Sequence, residues 1–271
     1  MQNLLNALRW RLQRIVLIYT LVALAGCMLL HWPPLIPSLI GAVLWLMVLD
    51  GIFRPGSSIF HATVTHGPRD SRRVAITFDD GPDPYVTPAV LEVLRQHGAR
   101  ATFFVIGRAL AAQPELGRRM VEAGHVVANH SWQHAYWQNF RHARWQGAEL
   151  GRCEETIAAV TGRPSSKLYR PPVGLKIGEL GRAISERGLK LVAWSVHSRD
   201  TFDPDPARIA RRVLSRVRGG DIVLLHDGYA NAGVRRERCP RALALILEGL
   251  HEKGLECVTV TELLGSPGGT R

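Results

Sequence analysis

The chain has 271 residues, 46% of them hydrophobic, with 34 basic and 23 acidic side chains for a net charge of +11. Beyond an apolar N-terminus this leaves roughly 215 residues, enough for one single-core domain. The charge favours anionic partners such as lipid headgroups or phosphate-bearing substrates. The sequence has no basic run interleaved with aromatics to suggest nucleic acid, and no Cys-x-x-Cys spacing among Cys27, Cys153, Cys239 and Cys257 to suggest a disulfide framework or metal clip.

Residues 1–54 read as a membrane anchor of two hydrophobic helices, about 15–31 and 35–53, broken by His31-Trp32-Pro33-Pro34. Each is slightly short of the roughly 20 apolar residues that cross a bilayer, so Asp50 to Phe53 must extend the second. Two other readings of the first segment stand beside this one. It has the basic start and apolar core of a secretory signal, and Leu24-Ala25-Gly26-Cys27 resembles a lipoprotein processing site. A second apolar stretch follows Cys27, however, where a lipoprotein continues into a polar tether. Arg9, Arg11 and Arg14 precede the pair and Arg54, Arg69, Arg72 and Arg73 follow it, while the short loop has no Lys or Arg. The positive-inside rule then puts both ends, and the domain, on the cytoplasmic side of a bacterial inner membrane; a single span would put the domain outside.

Residues 55–71 read as a linker, 72–264 as the domain and 265–271 as a tail. The domain opens on a β-prone run, Arg73–Phe78, followed by Thr87-Pro88 as an N-cap and first helical position, with that helix closing at Gly98. Gly124, Gly162, Gly188, Gly219 and Gly254 close five further helical stretches. Within residues 142–161, Leu150, Cys153, Ile157 and Val160 recur at helical spacing. The intervening β-prone runs are Ala101–Ile106, His125–Ala128, Lys167–Tyr169, Leu189–Trp194, Asp221–Leu225 and Glu256–Val260. Seven such units predict an α/β fold with a parallel sheet covered by helices, either open or closed into a barrel.

The chemically active side chains gather where these strands finish. Asp79-Asp80 end the first, His130-Ser131-Trp132-Gln133-His134 follow the third, and Arg170-Pro171-Pro172-Val173-Gly174 the fourth. Asp200 lies after the fifth, and His226-Asp227 end the sixth. In a parallel barrel these ends share one face, where loops build active sites. Adjacent residues on a strand point to opposite faces, so Gly81-Pro82 must bend the chain for both aspartates to serve one site. His130 and His134, four apart, chelate one ion if the loop turns helically. With Asp80 they make a two-nitrogen, one-oxygen set suited to zinc or another borderline divalent metal.

In order and spacing, the motifs T-F-D-D-G-P, H-S-x-x-H, R-P-P-x-G and L-L-H-D resemble those of polysaccharide deacetylases, the NodB-homology domain of carbohydrate esterase family four. The resemblance implies a distorted (β/α) barrel of seven to eight strands over residues 72–264, and a hydrolase that removes N-acetyl groups from amino sugars. It makes Asp80, His130 and His134 ligands of one divalent ion, Asp79 the general base held by Arg170, and His226 the general acid. It puts the Val173 N–H at the oxyanion and Leu224 beside the acyl group. Two departures stand out. His197 and Thr201 replace the Asp and Trp of an Asp-x-x-Asp-Trp run, which leaves Asp200 to orient His226. Val173 replaces an aromatic, so Trp194, Trp132 and Tyr136 are left as stacking surfaces for a sugar. Long chitin-like polymers are thereby disfavoured. The expected substrate is an N-acylated amino sugar in a polysaccharide or on a lipid, bound by a protein that contacts membrane lipid through its hairpin. Deformylation of a lipid-linked amino sugar, hydrolysis of a non-sugar amide and an inactive carbohydrate-binding module are the alternatives.

Overall fold

The apolar N-terminus folds as two helices, α1 (Gln2–Leu29) and α2 (Leu35–Phe53), in a computed structural model that describes residues 2–135, 141–176, 178–228 and 238–265. Between the helices the Trp32 ring packs on Gly26, where a Cβ would come within 2.3 Å of it. Tyr19 Oη donates to the Pro37 carbonyl at 2.9 Å and Trp45 Nε1 to Thr20 Oγ1 at 3.0 Å, which ties the pair into a hairpin. Of the two helices expected to span, α2 is long and apolar enough to do so alone, whereas the apolar part of α1 runs only from Arg14 to Leu29. Asp50 does extend α2, with its charge answered by Arg54 Nη2 at 3.0 Å and Ser57 Oγ at 2.7 Å.

The domain is built on nine strands. They are β1 (Thr63–Val64), β2 (Arg73–Asp79), β3 (Thr102–Val105), β4 (Val126–Asn129) and β5 (Leu168–Tyr169), then β6 (Lys190–Val192), β7 (Val196–His197), β8 (Ile222–His226) and β9 (Glu256–Val258). Their order is β1-β6-β5-β4-β3-β2-β8-β7, with β9 on β2, and every strand pairing is parallel. Only three residues separate β6, near one edge, from β7 at the other, so the chain itself curls the sheet towards a ring. The helices around it are α3 (Val86–Gln96), α4 (Gly107–Ala112), α5 (Pro114–Glu122), α6 (Ala143–Thr161), α7 (Gly178–Glu186), α8 (Pro206–Leu214), α9 (Arg238–Glu252) and α10 (Val260–Gly265).

Strand alternation sorts the core into two layers. Val74, Ile76 and Phe78 of β2, with Val223 and Leu225 of β8, pack outward against Val90, Leu94, Leu243 and Ile246 of the helices. Ala75 and Ile222 pack inward with Phe104, Ala128 and Val192. By the same alternation Thr77 and Asp79 of β2, and Leu224 and His226 of β8, belong to the inner face.

The structure departs from the expected elements at four places. Residues 63–64, inside the stretch read as a linker, form β1 and pair with β6, and β7 adds another short strand. Residues between Gly107 and Gly124 split into α4 and α5 at Pro114, which lacks the N–H a continuous helix needs. α3 begins at Val86, because Asp83 Oδ1 accepts from the Tyr85 and Val86 N–H groups; Thr87 is buried within it. α8 ends at Leu214, well before Gly219, whose bare Cα faces the Ser71 carbonyl where a Cβ would sit 1.8 Å away.

Candidate active site

β2 delivers Asp79 to the inner face, and Asp80 would point outward if the strand continued. Its φ of 74° instead puts it in the left-handed region, which swings its carboxylate back to the same side. Gly81 is required by a close approach, since a Cβ there would lie 2.4 Å from both Asp227 carboxylate oxygens. Asp227 is buried, accepts from Thr87 Oγ1 at 2.6 Å, and is pushed up to about 7 by that burial.

His130 and His134 are brought together without a helical turn, contrary to the expectation for a pair four apart. Ser131 at φ 68° and His134 at φ 55° fold the loop back instead, with the rings 4.9 Å apart. Asn129 Oδ1 accepts from the Ser131 N–H at 2.8 Å, Ser131 Oγ from the His134 N–H at 3.1 Å, and Glu149 from the Gln133 N–H at 3.0 Å. The His130 Nε2 and His134 Nε2 atoms lie 3.4 and 3.2 Å from Asp80 Oδ1. His130 Nδ1 is 2.7 Å from the Arg170 carbonyl, which can only accept, so Nδ1 carries the proton and Nε2 offers its lone pair to the site. Burial holds His134 down to about 4, neutral and able to ligate. Burial also works to raise Asp80, but its contacts with His130 and His134 prevail and keep the carboxylate well below its usual range. Asp80, His130 and His134 place one ligand atom each within 4.8 Å of one another and are all buried. The donor set and geometry fit a divalent metal ion.

Arg170 is fully buried. Its Nη1 donates to Asp79 Oδ1 at 2.6 Å and to Thr77 Oγ1 at 2.8 Å, while Nε and Nη2 donate to the Val192 and Ala193 carbonyls at 3.2 and 3.0 Å. The guanidinium carbon lies over the Phe104 ring, 4.1 Å from its centroid. Asp79 is therefore pinned beside the ligand cluster, its Oδ2 3.8 Å from His130 Nε2. On β8, His226 Nδ1 donates to Asp200 Oδ1 at 2.8 Å, and its own N–H to Asp200 Oδ2 at 2.8 Å. Burial works to lower the His226 imidazole, but the Asp200 charge and hydrogen bond prevail and hold it above its ordinary value.

Val173 lies in a 3-10 turn, Pro172–Gly174, at φ 51°, with its side chain half exposed. Leu224 is buried on β8. Trp194 packs edge-on against His197 and borders Gly174. Trp132 is clamped between Gly107 and the Arg152 guanidinium, 3.9 Å from its ring centroid, so packing rather than an open platform occupies it. Tyr136 lies outside the described residues. Reading by motif gives Thr77 no role and passes over Asn129 and Glu149. Their signal is a polar side chain on a strand, beside a histidine, or on the buried face of a helix.

Compared with known proteins, residues 66–192 match the polysaccharide deacetylase family model. The chain is 39% identical over 212 residues to a chitooligosaccharide deacetylase of Bradyrhizobium sp. (strain ANU 289), covering 71% of this chain and 91% of that one. Among solved structures, a peptidoglycan N-acetylglucosamine deacetylase superposes with a TM-score of 0.70 at 28% identity, over 77% of this chain and 95% of that one. A carbohydrate esterase family four pseudoenzyme from Bacillus anthracis does so at 0.66 and 25% identity, over 74% of this chain and 68% of that one.

Proposed function

Because the chain belongs to the polysaccharide deacetylase family, we propose that it hydrolyses the N-acetyl amide of an N-acetylglucosamine-containing saccharide, releasing acetate and a free amine. One observation carries the reading. The Arg170–Asp79 pair, the Asp80–His130–His134 group and the His226–Asp200 pair come together at one end of the sheet, with Asp79 and His226 in register across β2 and β8, which a packing role does not require. Asp80, His130 and His134 would hold one divalent ion, zinc by its donor set, which when bound polarises the amide carbonyl and acidifies water.

The chain's own residues supply the rest. Asp79, oriented by Arg170, takes the proton of the attacking water. His226, its imidazole held above its ordinary value by Asp200, gives a proton to the departing nitrogen, without which an amine is a poor leaving group. The Val173 N–H serves the developing oxyanion, and the left-handed backbone there is a cost typical of such sites. Leu224, on the inner face beside His226, walls the acetyl methyl. The hairpin anchors the enzyme in a bacterial inner membrane with both ends cytoplasmic, following the arginines at positions 9, 11, 14 and 54.

Acetate release from N-acetylated oligosaccharides tests the reading. Asp79→Asn is expected to abolish turnover while retaining bound metal, and His130→Ala to lose metal and turnover together. Full activity in either variant would refute the assignment.

A further inference from the structure

The membrane hairpin leaves the domain at the end that carries the site. β5 runs up to Arg170, so the turn Pro172–Gly174 and the first turn of α7 both lie at the C-terminal ends of the strands. α2 arrives at that turn. The Lys176 N–H donates to the Ile52 carbonyl at 3.3 Å, and a Cβ on Gly174 would lie 3.0 Å from Pro55 Cγ. Buried Lys176 then stitches the next residues to the same place, donating from Nζ to the Pro55 and Ser57 carbonyls at 2.7 and 2.5 Å. α1 packs against α7, and its Arg14 pairs with Glu179 in the first turn of α7 at 2.9 Å. Past Arg14 the side chains of Ile15, Leu17, Ile18 and Leu21 are exposed, as are Leu39, Leu46 and Phe53 of α2. Both boundaries of the apolar hairpin thus sit at the level of the site, and the lipid-facing surface extends beyond it.

Exposed apolar side chains also lie on loops at the same end of the sheet. Outside the hairpin, the exposed large hydrophobic side chains among the described residues are Tyr85, Val173, Phe202 and Leu245. Tyr85 follows β2, Val173 follows β5 and Phe202 follows β7, so three of the four lie on loops at the C-terminal ends of strands. Phe202 is 82% exposed, an unfavourable place for a phenyl ring in water but a usual one at a membrane interface.

We infer that the mouth of the site is apposed to the bilayer and receives an N-acylated amino sugar carried on a membrane lipid, presented from the leaflet that the hairpin enters. The substrate class rests on the hydrolase reading above, whereas the apposition rests on the fold alone. Sharing one surface raises the effective concentration of such a substrate at the site, an advantage a free oligosaccharide lacks.

The test uses the full chain reconstituted in vesicles, with two arms. In the first, acetate release is compared for N-acetylglucosamine on a polyprenyl phosphate in the same vesicles and for soluble chitooligosaccharide. A preference of roughly tenfold or more for the lipid-linked sugar is expected. Equal or faster turnover of the soluble oligomer overturns the substrate class and leaves the hydrolase reading standing, and release from neither overturns both. In the second arm, Phe202→Trp and Leu245→Trp are compared in vesicles with brominated acyl chains, with no reliance on activity. The emission added by the first substitution is expected to be quenched and that added by the second, on the flank of α9, to survive. An unquenched Phe202→Trp signal overturns the apposition.

Discussion

Asp200→Asn separates the electrostatic role of this carboxylate from its role in holding His226. In the wild type the Asp200 charge and hydrogen bond overcome the effect of burial, so the imidazole is held above its ordinary 6.5. The protonated form is the competent acid; it is present below that pKa and lost as pH rises through it. The Asp200 carboxylate lies 2.8 Å from His226 Nδ1, close enough for its charge and hydrogen bond to set that balance. With the charge gone, burial prevails and the imidazole falls below 6.5. Each unit lowers the protonated fraction on the alkaline side about tenfold, or about 1.4 kcal/mol. kcat/KM for acetate release at pH 8 should therefore fall by ~10–100-fold, with a much smaller loss near pH 5.5. Asparagine keeps the size and one acceptor oxygen of aspartate, so loss of positioning alone would lower the rate equally at every pH. An alkaline limb left where the wild type has it would refute the reasoning.

Three further outcomes follow from the packing. Arg170→Met strips Asp79, Thr77 and two carbonyls of their donor inside a buried site; a loss of about 3–5 kcal/mol is expected in denaturant unfolding, and a loss under ~1 kcal/mol would contradict it. Gly81→Ala drives a methyl to within 2.4 Å of the Asp227 carboxylate, which should cost about 1–3 kcal/mol in thermal unfolding and displace Asp80; unchanged stability and metal content would show that the loop yields freely. Lys176→Met leaves the Pro55 and Ser57 carbonyls without their donor, costing about 1–3 kcal/mol locally; hydrogen exchange should accelerate in residues 55–64, and unchanged protection there would refute the stitch.

The parallel α/β architecture was legible because glycine punctuation and β-prone runs alternate without interruption. Gly98, Gly124, Gly162, Gly188 and Gly254 all take the left-handed conformation that closes a helix. Gly219 misled because its constraint comes from the Ser71 carbonyl, a contact distant in sequence, while neighbouring Gly220 takes the positive φ. β1 and β7, which the β-prone runs did not foretell, are two residues each, too short to leave a hydrophobic period. The candidate site was legible in its side chains and illegible in its backbone. The Asp-Asp and His-x-x-x-His spacings announced a cluster, yet the devices that assemble it are left-handed residues at Asp80, Ser131 and His134, which propensity assigns mainly to glycine and asparagine. The replaced Asp at His197 pointed towards Asp200, and the two hydrogen bonds from His226 now give that residue a physical place.

The fold by itself does not decide whether such a chain works, because a pseudoenzyme shares it. What decides is where this molecule carries its costs. Asp80, Ser131, His134 and Val173 occupy backbone conformations that L-residues seldom adopt, and a β-branched residue least of all. The Arg170–Asp79 salt bridge is buried, and Asp227 is buried at a pKa pushed to about 7, each against the cost of leaving water. Five of the seven positive-φ non-glycine residues, Arg199 being the fifth, lie in loops at one end of the sheet, beside these buried ionisable groups. A framework under selection for stability alone would relieve them, since hydrophobic replacements for a buried ion pair are often neutral or better. Their concentration around one cluster of histidines and carboxylates is expected of a site maintained for chemistry. The docking of α2 onto Gly174 and Lys176 then means that the apolar hairpin and the proposed oxyanion turn share contacts, so that under the reading proposed above tethering and catalysis depend on the same residues.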